Sequence, residues 1–135
     1  MNDLMTIGKA AALSGVSVDT IRYYERLGLL PKAARTRAGY RLYPPAIVNR
    51  LTLVGNAKRF GFSLREIAGF LRVRDSGGAP CRTVRAAADQ MLQAIDQQIA
   101  DLAARRQAMR KTLRIWDQTL RHTPPGTQGR LLERL

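Results

Sequence analysis

The sequence is poor in the residues that build disulfides, metal cages and acid–base sites. Its 135 residues include one cysteine and one histidine. A single cysteine excludes an internal disulfide framework. No H-E-x-x-H motif, phosphate-cradling glycine loop or cluster of carboxylates occurs, so an enzyme is not expected. No stretch approaches ~18 apolar residues and no basic-then-apolar leader opens the chain. These absences predict a cytoplasmic protein with no membrane partner. There is no repeat of fixed period and no low-complexity tract. The length suits one small domain, or a small domain plus an extension, with one modest core.

Acidic residues are also scarce. Ten Asp and Glu stand against 23 Lys and Arg, a net charge of +13. The excess is uneven: residues 1–74 carry 13 basic and 4 acidic residues, whereas residues 75–135 carry 10 and 6. Of the basic residues 19 are arginine, the side chain that forks onto phosphate and guanine. A surface of this kind calls for a polyanion, with nucleic acid first, and puts it on the N-terminal half.

Punctuation in that half is dense. Thr6 is suited to cap a first helix that Gly15 ends, and Ser17 to cap a second that runs to about Leu27, stopped by Gly28 with Pro31 just beyond. Two short helices joined by Gly15-Val16 have helix-turn-helix spacing. Ile7, Ala10, Ala11 and Leu13 are expected to pack on Val16, Ile21 and Tyr24. Residues 33–43 read as a short basic hairpin with Gly39 near its turn, a wing. Pro44-Pro45 opens a third helix, in which Ile47, Leu51, Val54 and Ala57 follow helical spacing and which Gly61 ends. Ser63-Leu-Arg-Glu66 is a capping box that starts a fourth helix, expected through Leu71. Asp75-Ser-Gly-Gly78 reads as a hinge.

From Cys81 to about Leu120 there is neither proline nor glycine, which allows ~60 Å of helix. Ala88, Ile95, Leu102, Met109 and Trp116 fall on one heptad position. Val84 and Met91, then Gln98, Arg105 and Thr112, fall on the other. Leu92, Ile99, Leu113 and Leu120 flank this seam. A small head cannot bury such a stripe, so a second copy is expected to cover it. The expected division is a DNA-binding head at 5–74, a hinge at 75–80, a dimerisation helix at 81–120, and a loop with a short terminal turn at 121–135.

The candidate DNA contacts are Ser17, Thr20, Arg22, Tyr23 and Tyr24 on the second helix. Arg35, Arg37, Tyr40 and Arg41 on the wing join them, with Arg65 at the start of the fourth helix. Arg22 lies mid-helix, where it can reach a guanine edge or a phosphate. One of the two adjacent tyrosines is equally suited to the core. Four such residues within seven suit a backbone or minor-groove clamp. Capping or pairing accounts for Glu25 and Glu66.

Ile7-Gly-Lys-Ala-Ala11, Val16-Ser-Val-Asp-Thr-Ile-Arg-Tyr-Tyr-Glu25, Leu27-Gly-Leu-Leu-Pro31, Gly39-Tyr-Arg-Leu-Tyr43 and Gly61-Phe-Ser-Leu-Arg-Glu-Ile67 occur in this order. Together they resemble the MerR family of bacterial regulators. The resemblance implies a mainly α fold, a winged helix-turn-helix head followed by a long antiparallel coiled-coil helix that forms a homodimer. It implies a regulator that sits on a palindromic double-stranded promoter with an over-long spacer. When an effector binds, such a regulator distorts the DNA and realigns the promoter for RNA polymerase. The family's recognition-helix arginine falls on Arg22, its tyrosine contacts on Tyr23 or Tyr24, and its wing tyrosine and arginine on Tyr40 and Arg41. An architectural DNA-binding protein with little sequence preference is the alternative. An RNA-binding module lacks an aromatic sheet or GXXG loop here.

Two departures stand out. Ile47 occupies a place where the family often has Asp. Metal-sensing members place a cysteine pair around a loop after the long helix, but here those positions fall near Arg121 and Gly129. Cys81 does match the cysteine that mercury- and zinc-type sensors carry at the start of the dimer helix. Three readings of the effector stay open. The chain binds another effector or none; Cys81 and His122 of the partner subunit form a reduced two-ligand metal site; or Cys81 is a thiol sensor, its thiolate favoured by Arg82 and Arg85.

Overall fold

The computed structural model describes residues 3–135. The elements run β1 (Met5–Thr6), α1 (Ile7–Ser14), α2 (Val18–Arg26), β2 (Ala34–Arg35), β3 (Arg41–Tyr43), α3 (Ile47–Phe60), α4 (Leu64–Asp75) and α5 (Cys81–Arg121). A 3-10 turn, Leu132–Arg134, follows. The chain divides into a compact head through Ala86 and a second unit from Ala87 onward.

The helix ends in the head follow from local chemistry. The side chains of Thr6, Ser17 and Ser63 accept the amides of Lys9, Thr20 and Glu66, respectively. Each satisfies one of the orphan donors of a first helical turn. Gly15 ends α1 in the left-handed region at φ 74, and Gly28 does the same after α2 at φ 78, a conformation that a Cβ disfavours. At α4 the capping box is complete, with Glu66 Oε1 accepting the Ser63 amide in return. Replacing Ser63 with alanine is expected to lower head stability by about 1 kcal/mol, read as a shifted urea midpoint with an unchanged slope.

A three-stranded antiparallel sheet of order β1-β3-β2 holds the wing to the head. Met5 pairs with Tyr43 and Thr6 with Leu42; Ala34 pairs with Leu42 and Arg35 with Arg41. The strand β1 has no periodic signal in the sequence, because two residues are too few for alternation to show.

The core belongs to the head: Met5, Ala10, Ile21, Tyr24, Leu29, Leu30, Tyr43, Ile47, Leu51, Val54, Phe62, Ile67, Ala68 and Leu71 are buried. Phe62 stacks edge-on against Phe70 with ring centroids 5.2 Å apart. Leu13 departs from expectation. It is 58% exposed, because α1 touches α2 and α3 through its Ala10 face and Ala10 is its one buried residue. The fourth helix also runs past Leu71 to Asp75. Nothing in Arg72-Val-Arg74 breaks a helix, and basic residues in a last turn suit its dipole. Asp75 is anchored as well, since Arg50 Nη1 and Nη2 donate to its two carboxylate oxygens at 2.7 and 2.8 Å. Arg50 Nε donates to the Leu29 carbonyl at 2.8 Å, so one guanidinium ties α3 to the end of α4 and to the chain leaving α2. These bonds hold the Asp75 carboxyl below its ordinary pKa.

The helix α5 is 41 residues long and has no buried residue. Leu92, Ile95, Ile99, Leu102, Met109, Leu113 and Leu120 are all exposed on it. No helix among the described residues is long and apolar enough to cross a membrane.

Candidate nucleic-acid interface

Successive residues of a helix turn by about 100°, so the burial of Ile21 and Tyr24 fixes which face of α2 looks outward. That face carries Asp19, Arg22, Tyr23 and Arg26, all exposed. Tyr24 is therefore corrected as a candidate contact. It lies three residues after Ile21 and shares its buried side, and Tyr23, 45% exposed, is the tyrosine available to a ligand. The Arg26 guanidinium lies 5.7 Å from the centroid of the Tyr23 ring, within cation–π range. Sequence reasoning passed over Arg26, although its spacing of four from Arg22 puts it on the same face.

Arg22 makes a loose pair with Asp19, with Nη1 3.7 Å from Oδ1 and both groups well exposed. Such surface pairs are weak, and a phosphate or a guanine edge can replace this one. Ser17 and Thr20 are engaged with each other. Ser17 Oγ donates to Thr20 Oγ1 at 2.8 Å while accepting the Thr20 amide at 3.1 Å. Their first role is to build the start of α2.

The wing is closed by its own backbone. Thr36 N–H donates to Tyr40 O, and Gly39 N–H to Thr36 O. The Tyr40 amide donates to Thr36 Oγ1 at 3.1 Å, and Arg35 Nη1 to Gly39 O at 2.8 Å. Gly39 takes φ 87 at the turn. Arg37 stands exposed between these anchors, and Tyr40 is 71% exposed. Tyr40 lies just outside β3.

The helix α2 and the wing meet at Glu25. Arg41 Nε donates to Glu25 Oε2 at 2.8 Å, and the Tyr43 hydroxyl donates to the same oxygen at 2.7 Å. Burial first, then the bond to Glu25 and its negative charge, push the Tyr43 phenol above its ordinary pKa. A phenol whose folded pKa is raised contributes stability in full below its unfolded value, about 10. That contribution is lost as pH rises beyond it, because the unfolded chain ionises first. Alkaline titration is thus expected to lower the melting temperature from about pH 10 upward. The drop should flatten in Tyr43→Phe; an equal drop in that variant would show that another group is responsible.

Arg65 is exposed in the first turn of α4, on the second helix pair and not on α2 or the wing. Cys81 is exposed at the start of α5, and His122 is exposed just past its end. Among the described residues no group of three or more His, Cys, Asp or Glu is placed to hold a metal ion.

The sequence and the fold are similar to those of known proteins. Residues 6–43 match the MerR family regulatory protein profile, and residues 48–112 match the MerR, DNA binding profile. The mercuric resistance operon regulatory protein of Serratia marcescens is 42% identical over 99 residues, 73% of this chain and 67% of that protein. A probable heavy metal-dependent transcriptional regulator of Haemophilus influenzae is 37% identical over 112 residues, 83% of this chain and 84% of that protein. Among solved structures, HiNmlR, a MerR family regulator lacking the sensor domain and bound to promoter DNA, superposes with a TM-score of 0.55. It is 25% identical, and the match covers 88% of this chain and 94% of that one. With its winged head, outward-facing α2 and long α5, the chain belongs to the MerR family of DNA-binding transcriptional regulators.

Proposed function

We propose that two copies of this regulator grip one palindromic promoter and control transcription by deforming it, each copy laying α2 in a major groove and its wing along the flanking backbone. The observation that carries this reading is the outward face of α2, with Arg22, Tyr23 and Arg26 exposed beside a wing bearing Arg35, Arg37, Tyr40 and Arg41. Base-reading and phosphate-holding groups are joined there in one element set. A two-fold dimer reads two half-sites, and bending or untwisting between them supplies a switch acting on RNA polymerase at that promoter. The relatives it resembles are transcriptional regulators, and on this reading the protein likewise acts by binding and not as an enzyme.

The charge order along α5 supports antiparallel pairing. Residues 86–104 contain Asp89, Asp96 and Asp101 and no Lys or Arg; residues 105–114 contain Arg105, Arg106, Arg110, Lys111 and Arg114 and no acid. Parallel copies would face like with like. An antiparallel pair overlapped over Cys81–Arg121 has its two-fold axis beside Asp101 and Leu102, and brings Asp96 beside Arg106 of the partner subunit. It also sets Cys81 near His122 of the partner subunit.

Those two donors fall short of the four ligands that zinc takes in a structural site, while a linear soft-metal site would need no more than two. The loop-flanking positions themselves, Arg121 and Gly129, carry no ligand. On this reading the protein answers to an effector of another chemical class, or to none. Induction by the natural inducer is accordingly expected to be unchanged in Cys81→Ser and in His122→Ala; loss in either variant restores a thiol or metal role. The binding claim is tested by comparing the Kd for the protein's own promoter with that for a random duplex at one salt concentration. Specific binding is expected to be tighter by about 10³-fold or more, while equal affinities would favour an architectural role.

A further inference from the structure

Glu25 lies on α2 at the border between its buried and outward faces, and its side chain is 15% exposed. An acidic residue this near a DNA-binding surface is, taken alone, a liability, because it repels phosphate. The structure shows a compensating use. One carboxylate oxygen, Oε2, accepts both the Arg41 Nε–H and the Tyr43 O–H. The two donors sit on β3 and are separated from Glu25 by 16 and 18 residues. Two short bonds to a charged acceptor are the strong kind. They tie the recognition helix to the wing at a single atom, with Tyr43 fully buried behind them.

We propose that Glu25 is a positioning residue for DNA binding: it fixes the wing against α2 and holds Arg41 by Nε, so that the guanidinium's Nη donors are presented to a phosphate. The proposal rests on the reading of Arg41 as a DNA contact. Arg41 is suited to the task because a guanidinium has five N–H donors in a fixed fork. The bond to Glu25 engages the Nε–H, which leaves the Nη groups for a second anion. The side chain is 28% exposed, so it is held in place yet reachable. A lysine has one nitrogen and no fork, and cannot be oriented in this way.

The sign of the effect separates positioning from plain electrostatics. Removing a negative charge from a DNA-binding surface should tighten binding if charge alone matters. If Glu25 positions Arg41, Glu25→Gln should weaken it. The experiment measures promoter affinity of the full-length protein by fluorescence anisotropy at several salt concentrations, for Glu25→Gln, Arg41→Ala, the double variant and Arg41→Lys. Glu25→Gln is expected to bind about tenfold more weakly. It should also lose about one unit of salt slope per protomer, as Arg41→Ala does. The double variant should be no weaker than Arg41→Ala alone, since both changes remove one contact. If Glu25→Gln binds as well as the parent while Arg41→Ala is weakened, Glu25 has no positioning role and the Arg41 contact stands. If Arg41→Ala binds normally, the contact itself is wrong and the proposal falls with it. Arg41→Lys keeps the charge at a half-buried position and decides the matter even where Glu25→Gln folds poorly: it should behave like Arg41→Ala, and parent-like affinity overturns the proposal.

Discussion

Replacing Arg22 with alanine is expected to cost at least about 30-fold in affinity for the promoter and far less for a random duplex. The estimate follows from about 1–3 kcal/mol for a forked arginine–guanine contact, counted twice because a palindrome uses both copies. Arg22 is singled out by position. It sits in the middle of the outward face that the burial of Ile21 and Tyr24 defines. Its ion pair to Asp19 spans 3.7 Å at an exposed site and is easily exchanged for a base edge. Arg37, on the exposed wing turn, is the contrasting case. Arg37→Ala is expected to weaken promoter and random duplexes alike and to lower the salt slope, the signature of a phosphate contact. Anisotropy titrations on both duplexes decide it. An equal loss on both for Arg22→Ala would demote Arg22 to a backbone contact, and no loss on either would remove α2 from the groove.

Helix starts and stops were legible because they depend on neighbours in sequence. Ser17 accepting the Thr20 amide and the reciprocal Ser63–Glu66 box span three residues each, and Gly15 and Gly28 act at their own φ. Legibility ended where one atom serves distant parts of the chain. That Glu25 Oε2 would gather Arg41 and Tyr43, or that Arg50 would hold Asp75 and the Leu29 carbonyl, is set by how α2, β3, α3 and α4 pack. No spacing rule encodes that packing. The tyrosine pair lies between these cases. Tyr23 and Tyr24 are alike in the sequence, and only the burial of Ile21 three residues before Tyr24 assigns one inward and the other outward. The end of α4 is of the same kind: Asp75 is its last residue, and its carboxylate is held by a guanidinium from α3.

The second large effect concerns a residue of the second unit, Leu102 on α5. Leu102→Asp is expected to leave the head folded, to convert the protein to monomer at micromolar concentration, and to lower promoter affinity by about 10²- to 10⁴-fold. Leu102 is 63% exposed within one protomer, so within that protomer an aspartate there disturbs no packing and should leave the head's melting temperature unchanged. If a second copy covers the midpoint of α5, the same substitution puts two carboxylates in place of two leucines beside the two-fold axis. The seam then loses its central apolar contact and must desolvate two like charges, which is costly even with Arg105 and Arg106 one turn away. Once the copies separate, each head must hold its half-site alone, and the effective concentration that the tether gave the second head is gone. Sedimentation velocity, thermal melting and a gel shift on one preparation separate the alternatives. A melted head would mean that Leu102 supports the fold itself. A dimer that survives with normal DNA binding would mean that the exposed stripe on α5 is covered by something other than a second copy.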